Sequence, residues 1–256
     1  MVIFLDMKKI IALVLLIIFT FVFSFALYKI VNSKIETHKV SKLQEKILDN
    51  TTIEEKVIEN DNNEESEFLN VDFTDLLKQN SDTQGWIRFG DSINHVFVQA
   101  KDNNYYLRRN FEKQHSEHGT LFMDYRNNNF SDQNTVLFGH NSRDMSGFGS
   151  LKMLLDKQYF DRGCTDIIRI STPEVNYNYQ IFSVYTIETE EYYIAPTFAP
   201  HEFNTFIDTM KRRSHHNLDV SVDADDKILT LSTCHGFSGT TKRLVVHAKL
   251  IDVMER

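Results

Sequence analysis

Apolar and polar positions alternate most clearly near the carboxy terminus. Across 227–234, Leu229, Leu231 and Thr233 fall on one side and Ile228, Thr230, Ser232 and Cys234 on the other, which is the period of a half-buried strand. Cys234 closes that strand on its more polar face. The stretch His235-Gly236-Phe237-Ser238-Gly239 is turn-prone, and a second strand follows over 243–250. Its core face reads Leu244, Val246, Ala248 and Leu250, with Arg243, His247 and Lys249 opposite. Paired as a hairpin, the two strands put the Cys234 thiol and the Arg243 guanidinium on one accessible side of one sheet.

The same signals predict strands over 85–89, 95–99, 134–141, 165–171 and 177–188, the third of these ending in Gly139-His140-Asn141. Apolar residues at helical spacing predict short packing helices over 68–78, with Asp72 or Thr74 near its start, and over 148–155. Within a long insertion, 191–218, Pro200 can open a helix that carries Phe203, Phe206, Ile207 and Met210 on one face. At least seven strands with short helices suggest a closed, mostly antiparallel barrel with appended helices.

The amino-terminal pattern is different. Residues 10–28 carry no charge and no polar face, and at 1.5 Å per residue they span the ~30 Å hydrocarbon layer of a membrane. Ser24-Phe25-Ala26 offers a small-x-small cleavage site, but the run exceeds the ~7–15 residues of a signal-peptide core, which favours a retained anchor. Lys8 and Lys9 precede the span while Lys29, Lys34, Lys39 and Lys42 follow it, so the lysine count opposes an inside amino terminus. Residues 32–67 are polar; Ile35, Leu43, Ile47 and Leu48 allow intermittent helix, and the remainder reads as a solvated spacer.

Composition narrows the function. With 41% apolar residues, the 256-residue chain can bury one core, of ~150–200 residues plus appendages. The net charge of -8 sits largely in 54–67, which holds seven acids and one lysine, and no basic stripe with interleaved aromatics offers a nucleic-acid surface. There are two cysteines, Cys164 and Cys234, and a staple between them is one reading. A nucleophilic Cys234 must instead be free, leaving Cys164 as a packing residue. His201, His215 and His216 lack metal-ligand spacing and read as solvated loop residues.

The TLSTC of 230–234, with Arg243 opening a valine-rich strand, resembles the TLxTC signature of the sortases, the cell-wall transpeptidases of Gram-positive bacteria. QAKDNNYYL at 99–107 and GTLFMDYRN at 119–127 resemble class B sortases in particular, and GHN at 139–141 matches the sortase histidine position. The resemblance covers roughly 68–253. It departs from some relatives at His95-Val96-Phe97, where a proline is common, and at Gly236, where some members carry an aspartate. An aspartate-oriented triad is therefore not expected.

The resemblance implies a mostly β fold: a sortase-type closed eight-stranded β-barrel with short peripheral helices, preceded by a transmembrane helix. Residues 1–9 are then a cytoplasmic tail, 10–28 the single-pass anchor, 29–67 a stalk and 68–256 an extracellular catalytic domain, with a helix of the insertion beside the substrate groove. It implies Cys234 as nucleophile, His140 as proton shuttle and Arg243 as donor to the oxyanion or the substrate backbone, with Ser232 and Thr233 as secondary substrate-binding candidates. The implied reaction cleaves a carboxy-terminal LPxTG- or NPxTN-like sorting motif after its threonine through a thioester on Cys234. Its partners are sorting-motif-bearing surface proteins and a peptidoglycan cross-bridge amine. No metal or organic cofactor is required. Competing readings are a pilin-polymerising sortase that uses a pilin lysine as acceptor, a hydrolytic cysteine protease, and an inactive tethered binding module.

Overall fold

The computed structural model describes residues 2–59, 65–141, 147–199, 201–234 and 241–256. The chain divides into two compact units, Met1–Glu45 and Lys46–Arg256. The first is helical and belongs to α1 (Val2–Asp49). From Met7 onward α1 is long and apolar enough to cross a membrane, and Phe19 and Phe21 stand 68% and 73% exposed. An apolar surface with no polar face and no protein cover is suited to lipid.

In the second unit, β1 (Ile53–Glu59) and β2 (Glu65–Val71) form an antiparallel pair. Part of the expected solvated spacer is therefore sheet, with 60–64 outside the described residues. Phe68, Leu69 and Val71 are buried, and Arg169 Nε and Asn178 Nδ2 both donate to the Glu67 carbonyl at 3.1 Å. The acids that made the tract look like a free tether are neutralised in part by barrel arginines, Glu55 by Arg88 and Glu67 by Arg169. The helix expected over 68–78 shrinks to α2 (Thr74–Gln79), because Leu69, Val71 and Phe73 satisfy a period of two as well as a helical one. Asp72 Oδ1 accepts from the Thr74 amide at 2.9 Å and starts that helix.

There follow β3 (Thr83–Phe89), β4 (Ile93–Val98), a 3-10 turn (Tyr106–Arg108), β5 (Leu121–Met123) and β6 (Asn134–Gly139). A 3-10 helix (Gly149–Leu155) stands where a helix was expected, then α3 (Lys157–Asp161), β7 (Ile167–Ser171), β8 (Val175–Glu188) and a 3-10 turn (Tyr192–Ile194). The chain ends with α4 (Glu202–Arg213), β9 (Ile228–Cys234) and β10 (Lys242–Glu255). Eight strands close a barrel in the order β10-β8-β7-β3-β4-β5-β6-β9. Two of its pairs, β4 with β5 and β6 with β9, are parallel.

The barrel interior holds Ile87, Phe97, Leu137, Ile170, Ile181, Leu229, Leu231, Leu244 and Val246. On α4, Phe203, Phe206, Ile207 and Met210 are the buried residues, as the helical spacing predicts, and they form a second core with Phe182, Tyr185, Tyr193 and Val245 on the outside of the barrel. Pro200, expected to open that helix, lies outside the described residues. Cys164 is a free and exposed thiol, not a packing residue, because it follows Gly163, at φ +69°, in the surface turn after α3. His216 is no solvated loop residue either, since its Nε2 donates to the Leu154 carbonyl at 2.7 Å and its ring lies 5.1 Å from that of Phe160.

Candidate active site

Three adjacent strands bring the candidate residues to one end of the barrel. β6 runs parallel to β9 with Gly139 opposite Thr233, so His140, one residue on, is level with Cys234. β9 runs antiparallel to β10 with Cys234 opposite Arg243. The side chain of Cys234, and the turn expected over 235–239, lie outside the described residues. Arg243 is half-buried and its Nη1 donates to the Lys242 carbonyl at 3.0 Å.

His140 is held from beneath. Its Nε2 lies 2.6 Å from the Leu107 carbonyl, which can only accept, so Nε2 carries the proton and Nδ1 is the acceptor of the neutral ring. Burial lowers the imidazole pKa, the Leu107 carbonyl works against that shift, and the charges of His118 and Arg108 reinforce it. Two glycines make the approach possible. A Cβ on Gly119, at φ +60°, would stand 2.6 Å from the Tyr106 carbonyl, 2.8 Å from that of Leu107 and 3.0 Å from the His140 ring. A Cβ on Gly139 would stand 2.4 Å from the Leu121 side chain and 2.6 Å from the Phe148 ring. Leu107 and Gly119 belong to the two class-specific stretches, whose chemistry the sequence alone left unassigned.

Away from that end, the face of β9 and β10 that carries Thr230, Ser232 and His247 is covered by α4 and the Tyr192–Ile194 turn. Thr230 and His247 are 0% exposed and Ser232 2%. Thr230 Oγ1 lies 2.6 Å from Asn134 Oδ1 and 2.8 Å from His247 Nδ1, and Tyr185 OH lies 2.9 Å from His247 Nε2. Ser232 Oγ meets Tyr193 OH at 3.1 Å, while Thr233 Oγ1, also buried, has no hydrogen-bond partner among the described residues. Ser232 and Thr233 therefore precede the cysteine as packed residues and not as open hydroxyls. Asn134 and Tyr193 were not singled out from the sequence. The signal for Asn134 was there, as a polar residue opening an otherwise apolar strand.

A sortase-domain family model matches residues 96–251. Sortase B of Staphylococcus aureus is 35% identical over 254 residues, covering 98% of this chain and 98% of that protein. This chain belongs to the sortase family, in its class B. The solved sortase B of Bacillus anthracis in complex with AAEK1 superposes with a TM-score of 0.71 at 34% identity, over 85% of this chain and 99% of that one. The S. aureus sortase B-substrate complex gives 0.66 at 38% identity, over 70% and 84%. As a class B sortase the protein is a cell-wall transpeptidase whose substrates are surface proteins and whose second substrate is an amine. Among the described residues no cluster of His, Cys, Asp and Glu could hold a metal ion.

Proposed function

We propose that this sortase cleaves a sorting motif of the LPxTG or NPxTN type after its threonine and transfers the threonine carbonyl to a cell-wall cross-bridge amine. The Cys234 thiol attacks that carbonyl and His140 Nδ1 takes its proton. The tetrahedral oxyanion, or the substrate backbone beside it, is held by the Arg243 guanidinium, which stays protonated and can only donate. His140 returns the proton to the departing amine, leaving a thioester on Cys234. The incoming amine then attacks the thioester, and the thiol is restored. Ser232 and Thr233 contribute to the groove by fixing the strand that leads into the nucleophile.

The reading is supported above all by the register that puts His140, Cys234 and Arg243 level on three neighbouring strands. A sortase B has also been solved in complex with triglycine, which fits an amine acceptor. The anchor is 10–28, crossing once, with 1–9 inside the cell and the barrel outside.

The test uses the full chain in detergent, sorting peptides of both types, and mass spectrometry with and without triglycine. We expect a thioester adduct on Cys234, slow acid product in water, a new amide with triglycine, and no turnover in Cys234→Ala. Substantial cleavage by Cys234→Ala would remove the nucleophile assignment. Acid as sole product, at a fast amine-independent rate, would make the enzyme a hydrolase.

A further inference from the structure

The stretch GTLFMDYRN supplies Gly119 beneath His140, yet its Asp124 and Arg126 lie elsewhere and have no part in the reaction described above. Asp124 is 1% exposed, and a carboxylate that deep needs partners. Arg126 provides them in a two-point clasp, Nε to Oδ1 at 2.9 Å and Nη2 to Oδ2 at 2.8 Å, and Asn103 Nδ2 adds a donor to Oδ2 at 3.1 Å. The same Nη2 also donates to the Ile194 carbonyl at 2.9 Å. That carbonyl belongs to the Tyr192–Ile194 turn, 68 residues away in the chain.

The turn is gripped a second time from β6. Asn134 Nδ2 donates to the carbonyls of Tyr193 at 3.2 Å and Ala195 at 2.9 Å, and the Asn134 amide donates to the Pro196 carbonyl at 3.0 Å. Between these holds, Tyr193 presents its hydroxyl to Ser232, two residues before Cys234. The turn is thus a short irregular segment whose carbonyls are satisfied by side chains of the β5–β6 region and whose own side chain touches the nucleophile's strand. Such a segment has little ladder bonding to keep it in place, so its position is set by these donors together with the packing of Tyr193 in the second core.

We propose that Arg126, seated on Asp124, is a positioning residue that fixes the Tyr192–Ile194 turn against β9 and thereby sets the fit of the sorting peptide beside Cys234. This rests on the reading of the site given above. A lysine at 126 keeps the charge but has one nitrogen, which cannot clasp both carboxylate oxygens and reach the Ile194 carbonyl in this planar geometry.

The test compares wild type with Arg126→Lys and with the near-isosteric Asp124→Asn, using the full chain in detergent. Amide hydrogen exchange is read at Ile194, Ala195 and Phe198, with Leu137 and Leu231 as barrel controls. Steady-state kinetics are read with a sorting peptide. We expect faster exchange confined to the turn, KM raised about tenfold with kcat nearly unchanged, and the larger effect in Arg126→Lys. Unchanged exchange at the turn overturns the clamp. Faster exchange with unaltered KM, or a loss in kcat alone, overturns the positioning role. If Arg126→Lys does not fold, Asp124→Asn decides by the same readings. The exchange experiment reports on the clamp even if Cys234 proves not to be the nucleophile, so failure of one reading is distinguishable from failure of the other.

Discussion

Thr230, the first residue of TLSTC, has a role in stability that can be worked from its two contacts. Asn134 Oδ1 can only accept, so the Thr230 hydroxyl proton goes there at 2.6 Å, and His247 Nδ1–H must then donate to Thr230 Oγ1 at 2.8 Å. His247 Nε2 is left as the acceptor for Tyr185 OH at 2.9 Å. Thr230, Asn134 and His247 are each 0% exposed, so no water replaces a lost partner. Thr230→Val keeps the shape of the side chain and leaves two buried polar groups short of a partner, an acceptor on Asn134 and a donor on His247. At ~1–3 kcal/mol for each, the loss is about 2–6 kcal/mol. For a domain of ~150–250 residues, at about 2–4 °C per kcal/mol, that lowers Tm by roughly 4–24 °C. Near-ultraviolet circular dichroism during heating and urea titration measures it. A double-mutant cycle with His247→Phe isolates the shared bond, with an expected coupling of ~0.5–3 kcal/mol. A valine variant melting within about 2 °C of wild type, or strict additivity in the cycle, would refute the directed hydrogen-bond chain.

Arg243→Lys is expected to lose ~2–4 kcal/mol of transition-state stabilisation, the scale of one oxyanion donor, with little change in melting. Near-normal kcat/KM in that variant would reduce Arg243 to a strand-start surface residue. Burial, reinforced by the charge of Arg213, pushes the His247 pKa down to about 3, against an ordinary value near 6.5. Between those values the unfolded chain binds the extra proton, so this contribution to stability is intact above pH ~6.5 and is lost as pH falls toward ~3. Tm measured against pH should therefore fall more steeply in wild type than in His247→Phe across that window, and equal slopes would contradict a neutral buried imidazole.

Several elements were legible in the sequence because their physics is local. The alternation over 227–234 and 243–250 identified β9 and β10, and the interior residues Leu229, Leu231, Leu244, Val246 and Ala248 are those the pattern placed inside. The 3.6 spacing on α4 named its four buried residues for the same reason. The uncharged run of 10–28 announced a helix able to span a membrane, since length and apolarity alone set that property. Tertiary structure decided what depends on distant partners. Parallel pairing of β6 with β9 puts His140 level with Cys234, although the two are far apart in the chain, and no local period encodes which strands become neighbours. The described parts of the acidic tract are sheet, with Glu55 and Glu67 paired to Arg88 and Arg169 of the barrel, partners that the sequence does not place near them. Most of the polar face of β9 became covered because a helix earlier in the chain folds back over it, so Thr230 and Ser232 are buried hydroxyls with partners, although Ser232 read as a candidate for substrate contact. Alternation tells which residues share a face, but only the packed chain determines whether that face meets water or protein.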